Sequence, residues 1–145
     1  MSTHTAILEA LMKVLRTKFE VLQDAEIIVG SSLKFRPDAL FISPDGTLFV
    51  VEVKTPEVSL DHIRVLIDFC SDLQSVLGPS LEVLLASPKE LKPTVSKYID
   101  KISSIQPFRF HFVHLPIEKA LHITSLNESS PGFRQESTKV LDLIV

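Results

Sequence analysis

The sequence contains a single cysteine, Cys70, so the chain can form no internal disulfide. Despite a mean hydropathy of +0.26, every apolar run is shorter than the roughly 20 residues that a helix needs to cross a bilayer. The N-terminal segment also lacks the basic and apolar blocks of a secretory signal. These absences predict a cytoplasmic protein with no membrane partner, in which Cys70 is a small buried apolar residue.

An excess of positive charge is missing as well. The chain carries 15 Lys and Arg against 18 Asp and Glu, for a net charge of −3 and an isoelectric point near 5.9. This balance argues against a broadly basic nucleic-acid-binding surface but leaves room for a local basic patch. No Gly-rich phosphate loop is present, so we predict no nucleotide cofactor. With 145 residues and no repeat or linker, a single domain over 1–145 is expected.

Apolar residues recur at helical spacing near the N-terminus and predict a first helix over about residues 4–22. Residues 26–35 are rich in β-branched side chains and predict one strand, in which Gly30 and two serines permit a bend or bulge. Two further strands, 39–42 and 47–54, flank Ser43-Pro44-Asp45-Gly46, which has the residue types of a type I turn. This part of the chain is therefore predicted to end in a β-hairpin.

The second half alternates between helical and strand patterns. Ser59 is a suitable cap for a helix that ends before Gly78, and residues 81–86 predict a strand. Ser87 to Glu90 has the capping-box pattern of a helix running toward Ile102, which Pro93 could split. Phe108 to Leu115 alternates like a strand.

Beyond residue 117 the pattern weakens, and the apolar segment 140–145 could pack on the chain's own core or on a partner. We therefore expect a core over about 4–115 and a C-terminal extension, 116–145, that could serve as an oligomerisation arm. The predicted fold class is α/β, with a central mixed β-sheet flanked by helices in the order α-β-β-β-α-β, then α-β.

The hairpin turn predicts which residues share a face of the sheet. A three-residue loop with Gly46 left-handed pairs Ser43 with Thr47, and counting outward places Asp38 opposite Glu52. Because strand side chains alternate, Asp38, Glu52 and Lys54 lie on one face, together with Leu40, Ile42, Leu48 and Val50. Two carboxylates and an ammonium thus gather at one end of two otherwise apolar strands.

Opposed carboxylates repel each other unless a cation lies between them. Mg²⁺ prefers oxygen ligands and often uses one or two carboxylates together with water and substrate phosphate, so Asp38 and Glu52 are candidate metal ligands. Lys54 could orient the attacking water and offset charge that develops on a phosphate. An ordinary amphipathic strand explains residues 51–54 alone, but it does not explain the whole constellation.

Pro37-Asp38, thirteen intervening residues and Glu52-Val53-Lys54 resemble the motif of the PD-(D/E)XK nuclease superfamily, which has the restriction-endonuclease-like fold. The resemblance covers approximately Ile7 to Ala86 and does not identify a subfamily. It implies hydrolysis of phosphodiester bonds in DNA, Mg²⁺ bound by Asp38 and Glu52 with Mn²⁺ able to substitute, and a catalytic Lys54. Many members of this superfamily add an acidic residue from the first helix, for which Glu9 is our first candidate and Glu20 the second.

The partner is expected to be DNA, and a homodimer would supply the two sites that two-strand cleavage requires. Candidate phosphate contacts are Lys34, Arg36 and Arg64, with Lys13 and Arg16 on the first helix. The alternative function is a catalytically silent nucleic-acid-binding or assembly subunit with the same fold. An RNA-directed nuclease differs from the main hypothesis in its substrate alone.

Overall fold

A computed structural model describes residues 2–29, 33–78, 80–105 and 109–144 of the chain. In these ranges the helices are α1 Thr3–Leu15, α2 Leu60–Leu77, α3 Pro93–Ser103, α4 Ile117–Ser125 and α5 Pro131–Asp142. The strands are β1 Val21–Gln23, β2 Ile27–Val29, β3 Leu33–Phe35, β4 Ala39–Ile42, β5 Leu48–Val53, β6 Leu81–Ser87 and β7 Arg109–His114. No helix in these ranges is both long and apolar enough to cross a bilayer.

Five strands form a central sheet in the order β1-β4-β5-β6-β7. Strand β4 runs antiparallel to both of its neighbours, β1 and β5, whereas β5, β6 and β7 run parallel and are connected through α2 and α3. The sheet is therefore mixed and flanked by helices, which confirms the predicted fold class.

Each face of this sheet carries its own hydrophobic cluster. On one face, Leu40 and Val50 pack with apolar residues of α2 and α3. On the other, Phe41, Phe49 and Val51 pack with residues of α1, α4 and α5. The strands are apolar on both faces because helices cover both of them.

The β4–β5 hairpin has the predicted register. Gly46 has φ of +89°, and its N–H donates to the Ser43 carbonyl at 2.9 Å. The Ser43 N–H donates to the Thr47 carbonyl at 2.9 Å, and Leu40 pairs with Val50. A positive φ favours glycine, so the turn sequence sets where the strands begin to pair.

The predicted first helix, 4–22, is too long. The observed helix, α1, ends at Leu15, after which the N–H groups of Thr17 and Lys18 donate to carbonyls three residues earlier in the chain. Phe19 fits the helical apolar spacing, but it stacks on Phe41 from the turn that follows the helix, with ring centroids 4.4 Å apart. Residues 21–23 instead pair with β4 as an edge strand.

Residues 26–35 do not form a single strand. They contain β2 and β3, which pair antiparallel as a separate two-stranded sheet. Gly30 and the two serines lie outside the described residues. Phe35 stacks on Phe69 of α2 with ring centroids 3.8 Å apart, and this contact holds the small hairpin against the α2 face.

The helix predicted from Ser87 begins instead at Pro93, because Ser87 still belongs to β6 and proline suits a first helical position. The strand predicted from Phe108 is observed from Arg109, and Phe108 and Val145 lie outside the described residues.

The C-terminal segment forms two helices that the sequence pattern did not reveal. Phe133, Val140 and Ile144 are almost fully buried in the cluster that contains α1. Lys13 of α1 donates hydrogen bonds to the carbonyls of Ile123, Thr124 and Leu126 at the end of α4. The segment thus packs on the chain's own core, while a role in oligomerisation stays a prediction.

If α5 is part of the core, Phe133→Ala should lower the free energy of unfolding by about 3–5 kcal/mol, since it leaves a cavity against α1. Leu143→Ala is the control, because Leu143 is 52% exposed and its truncation should cost little. Urea denaturation of both variants measures the difference. Equal, small effects would show that α5 does not stabilise the fold.

Candidate functional site

Asp38, Glu52 and Lys54 meet at one end of the central sheet. Asp38 immediately precedes β4, Glu52 lies near the end of β5, and Lys54 directly follows it. The Val53 N–H donates to Asp38 Oδ2 at 2.7 Å, and Lys54 Nζ lies 3.1 Å from Glu52 Oε2. The outermost residue pair of β4 and β5 is Ala39 with Val51. Extending that register by one residue places Asp38 opposite Glu52.

Glu52 is a buried carboxylate. It is 5% exposed, and burial raises its pKa above the ordinary value of 4.5. The Lys54 ammonium opposes this rise, whereas the Asp38 carboxylate adds to it. A carboxylate in this setting is stabilised in its charged form by any cation placed beside it.

The charges of Lys54 and Glu52 also shift the pKa values of two residues of α2, His62 and Cys70. Burial and the Lys54 ammonium lower the pKa of His62, whose Nδ1 accepts from the Ser59 N–H at 3.0 Å in a capping box. Burial and the Glu52 charge raise the pKa of Cys70 to about 12, so its thiol stays protonated. Helix α2 thus closes the site on one side without adding a nucleophile.

Helix α1 contributes His4 to the site. His4 Nε2 lies 3.2 Å from Asp38 Oδ2. Sequence reasoning missed this residue, although a signal exists, because position 4 extends the helical stripe of Ile7, Leu8 and Leu11 and places a polar residue at its end.

Glu9, the residue predicted from the first helix, does not join these groups. It is exposed and lines a separate surface pocket with Arg16, Gln23 and Glu128. It lies five positions after His4, and that spacing turns its side chain well away from the face that reaches Asp38. Glu20, the second candidate, is exposed in the turn between α1 and β1.

The basic candidates are dispersed around the molecule. Lys34 is exposed on β3, and Arg36 follows that strand 4.0 Å from Glu26. Arg64 of α2 pairs with Asp61 at 3.3 Å. Two further candidates serve the fold: Lys13 binds the end of α4, and Arg16 donates to Gln23 at 2.6 Å.

Ser87 is a second residue that sequence reasoning did not place near the site. The pairing of Val53 with Ala86 puts Ser87 beside Lys54, at the end of the neighbouring strand. Its side chain is fully buried, and its hydroxyl has no hydrogen-bond partner among the described residues. A buried hydroxyl without a partner costs stability.

The protein side chains at this site do not amount to a complete metal cage. In the part of the chain that the structure describes, no group of three or more His, Cys, Asp or Glu side chains is arranged to hold a metal ion. Two carboxylates nevertheless suit Mg²⁺, which keeps several water ligands and commonly adds substrate phosphate oxygens. The chemistry of Asp38 and Glu52 therefore fits a divalent cation shared with substrate.

The raised pKa of Glu52 predicts a pH-dependent stability. The folded state binds the Glu52 proton more tightly than the unfolded state, so this stabilisation is full below pH 4.5 and is lost as pH rises through the raised pKa. The side chain of Glu52→Gln is neutral at every pH. The free energy of unfolding of this variant should therefore increase relative to that of wild type as pH rises.

Urea denaturation of both proteins between pH 4 and 8, in buffer containing a chelator, measures this difference. Glu128→Gln is the matched control, since Glu128 is exposed and lies at the separate surface pocket that Glu9 lines. A constant difference between wild type and Glu52→Gln across this range would contradict the raised pKa.

Comparison of the chain with protein-family models and with curated proteins found no match. Among solved structures, it is similar to EndoMS in a complex with double-stranded DNA, with a TM-score of 0.57 and 18% identity over 79% of this chain and 46% of that chain. A repair endonuclease from Pyrococcus abyssi gives a TM-score of 0.56 and 18% identity over 76% of this chain and 46% of that one. A protein of unknown function gives a TM-score of 0.56 and 14% identity over 84% of this chain and 68% of that one.

The chain spans slightly less than half the length of the two endonuclease chains. At these identities the similarity concerns the fold alone, and the mixed sheet with its flanking helices agrees with it. The chain has the restriction-endonuclease-like fold that its sequence predicted.

Proposed function

We propose that this protein is a metal-dependent DNA endonuclease whose site consists of Asp38, Glu52 and Lys54. The observation that carries the proposal is the buried Glu52 carboxylate, which lies beside a second carboxylate and 3.1 Å from an ammonium in an endonuclease-like fold. DNA as the substrate is supported by the complex of EndoMS with double-stranded DNA.

Asp38 and Glu52 would hold Mg²⁺, with Mn²⁺ as a substitute. Both supply carboxylate oxygens. Burial first, and then the Asp38 charge, raise the pKa of Glu52, and a cation between the two carboxylates would oppose both effects by stabilising the charged form. When bound, the cation polarises a phosphoryl oxygen and makes water a better nucleophile at neutral pH.

Lys54 supplies a positive charge where the reaction develops negative charge. Water adds to phosphorus and releases a proton to solvent, while the bond between phosphorus and the leaving sugar oxygen breaks and that oxygen takes up a proton from solvent. The non-bridging oxygens carry the extra negative charge in between. The Lys54 ammonium has three N–H donors, one of which reaches Glu52, so two remain for a water or a phosphate oxygen. Its side chain is 27% exposed and therefore accessible from the substrate side.

Phosphate contacts away from the reacting bond are proposed for Lys34, Arg36 and Arg64. Arg36 and Arg64 each lie near a carboxylate, which weakens their net attraction for DNA. Binding would then rest on few unopposed cations, so its affinity would be low and its dependence on salt concentration shallow.

A homodimer is proposed as well, because cleavage of both strands requires two sites. Light scattering coupled to gel filtration should give a protein mass of twice 16.2 kDa in the complex with DNA, once the mass of the DNA is subtracted. A monomeric mass with and without DNA would limit the chain to cleavage of one strand per encounter.

The alternative is a catalytically silent nucleic-acid-binding or assembly subunit. It is favoured by the lack of a cluster of three metal-ligating side chains among the described residues. In such a subunit the Lys54–Glu52 ion pair would be structural, and divalent cations would not bind.

Cleavage assays separate these functions. Plasmid, linear, single-stranded and branched DNA, together with RNA, are incubated with Mg²⁺ or Mn²⁺ and either wild type, Asp38→Asn or Glu52→Gln. Each variant loses one charged metal ligand, which should reduce cleavage at least about 100-fold.

Asp100→Asn and Glu82→Gln are the matched controls, since Asp100 is exposed on α3 and Glu82 pairs with His111. Both should cleave like wild type. If folded wild type cleaves no substrate and calorimetry detects no Mn²⁺ binding, the nuclease proposal is wrong and the silent subunit is favoured.

A further inference from the structure

We propose that His4 is a positioning residue that holds the Asp38 carboxylate in its metal-binding orientation. This inference rests on the proposed function and adds a residue to it. It assigns to helix α1 a role carried by an imidazole, in place of the acidic residue that the sequence motif led us to expect.

The two hydrogen bonds to Asp38 reach the same oxygen. Oδ2 accepts from the Val53 N–H at 2.7 Å and lies 3.2 Å from His4 Nε2. Oδ1 has no hydrogen-bond partner among the described residues. One carboxylate oxygen is therefore held by the protein from two directions, and the other is left for a cation or for water.

The direction of the His4 contact follows from its partner. A carboxylate oxygen accepts hydrogen bonds, so Nε2 must carry the proton and donate it. A bond from the strand backbone fixes the distance of Asp38 from β5, whereas a second bond from a different element restricts rotation of the carboxylate plane. Hydrogen bonds of this kind to metal-binding carboxylates orient the ligand before the cation arrives.

Helix α1 is suited to this task because its position is rigid. Ser2 caps the helix by accepting from the Thr5 N–H at 3.1 Å, which orders the turn that contains His4. One turn further, Ile7 and Leu11 are fully buried against the sheet. The imidazole therefore projects from an ordered helical backbone, so only its side-chain rotamer has to be fixed when it bonds to Asp38.

His4 also borders the open side of the site. It lines a cleft with Thr55, Lys89 and Glu118, and its side chain is 38% exposed. The residue is thus connected to Asp38 at one ring nitrogen and is accessible from solvent elsewhere, so it can be replaced without creating a core cavity.

The test measures Mn²⁺ affinity by calorimetry, and cleavage of the best DNA substrate, for wild type, His4→Ala and His4→Gln. His4→Ala should lower Mn²⁺ affinity about 10-fold to 100-fold and reduce cleavage by a similar factor. His4→Gln should recover most of both, because its amide N–H can donate at the position of Nε2. His122→Ala is the matched control, an exposed histidine in the last turn of α4.

Circular dichroism melting first establishes that each variant is folded at the assay temperature. If His4→Ala matches wild type in both measurements while Asp38→Asn binds no Mn²⁺, the positioning role is wrong and the proposed function stands. If Gln is as defective as Ala, a hydrogen bond from His4 is not what the site needs, and the inference fails. If wild type neither binds Mn²⁺ nor cleaves, the proposed function fails first and this inference fails with it.

Discussion

The site depends above all on the register of the β4–β5 hairpin. Strand side chains alternate with a period of two, so a slip of one residue would move Asp38 to the opposite face from Glu52. The slip would also turn Phe41 out of the aromatic stack that it forms with Phe19 and Phe49. The turn at Gly46 and the packing of both faces therefore specify the same register, and the carboxylates meet as a consequence.

Burial of Glu52 then sets the acid–base properties of this pair of carboxylates. Glu52 lies at the end of a strand whose two faces are covered by helices, and the loss of water raises its pKa. Lys54 compensates in part, since its ammonium lies within an ion-pair distance, but the neighbouring Asp38 acts in the opposite direction. The fold thus holds two neighbouring carboxylates at a partly buried position, where a positive charge is needed to stabilise both in their charged form. Such arrangements are more typical of functional sites than of structural ones.

The C-terminal helices matter to the site although they lie far from it in sequence. Lys13 of α1 binds the last carbonyls of α4, and its ammonium lies 4.9 Å from the centre of the Phe133 ring of α5. These contacts fix α1 on the sheet face opposite α2. Because His4 begins the same helix, its distance from Asp38 depends on the packing of residues 117–144, which the sequence pattern had led us to treat as an extension.

The sequence by itself determined what depends on neighbours along the chain. The turn residues set the hairpin register, Ser59 and Gly78 bound α2, and the alternation of strands β4 and β5 placed Asp38, Glu52 and Lys54 together. Tertiary structure decided whatever depends on contacts between distant segments. The end of α1, the antiparallel pairing of β2 with β3, and the contact of His4 with Asp38, 34 residues away, all follow from packing onto surfaces that no local pattern encodes. An apolar residue such as Phe19 fits a helix and a turn equally well, and only the surface it packs against distinguishes them.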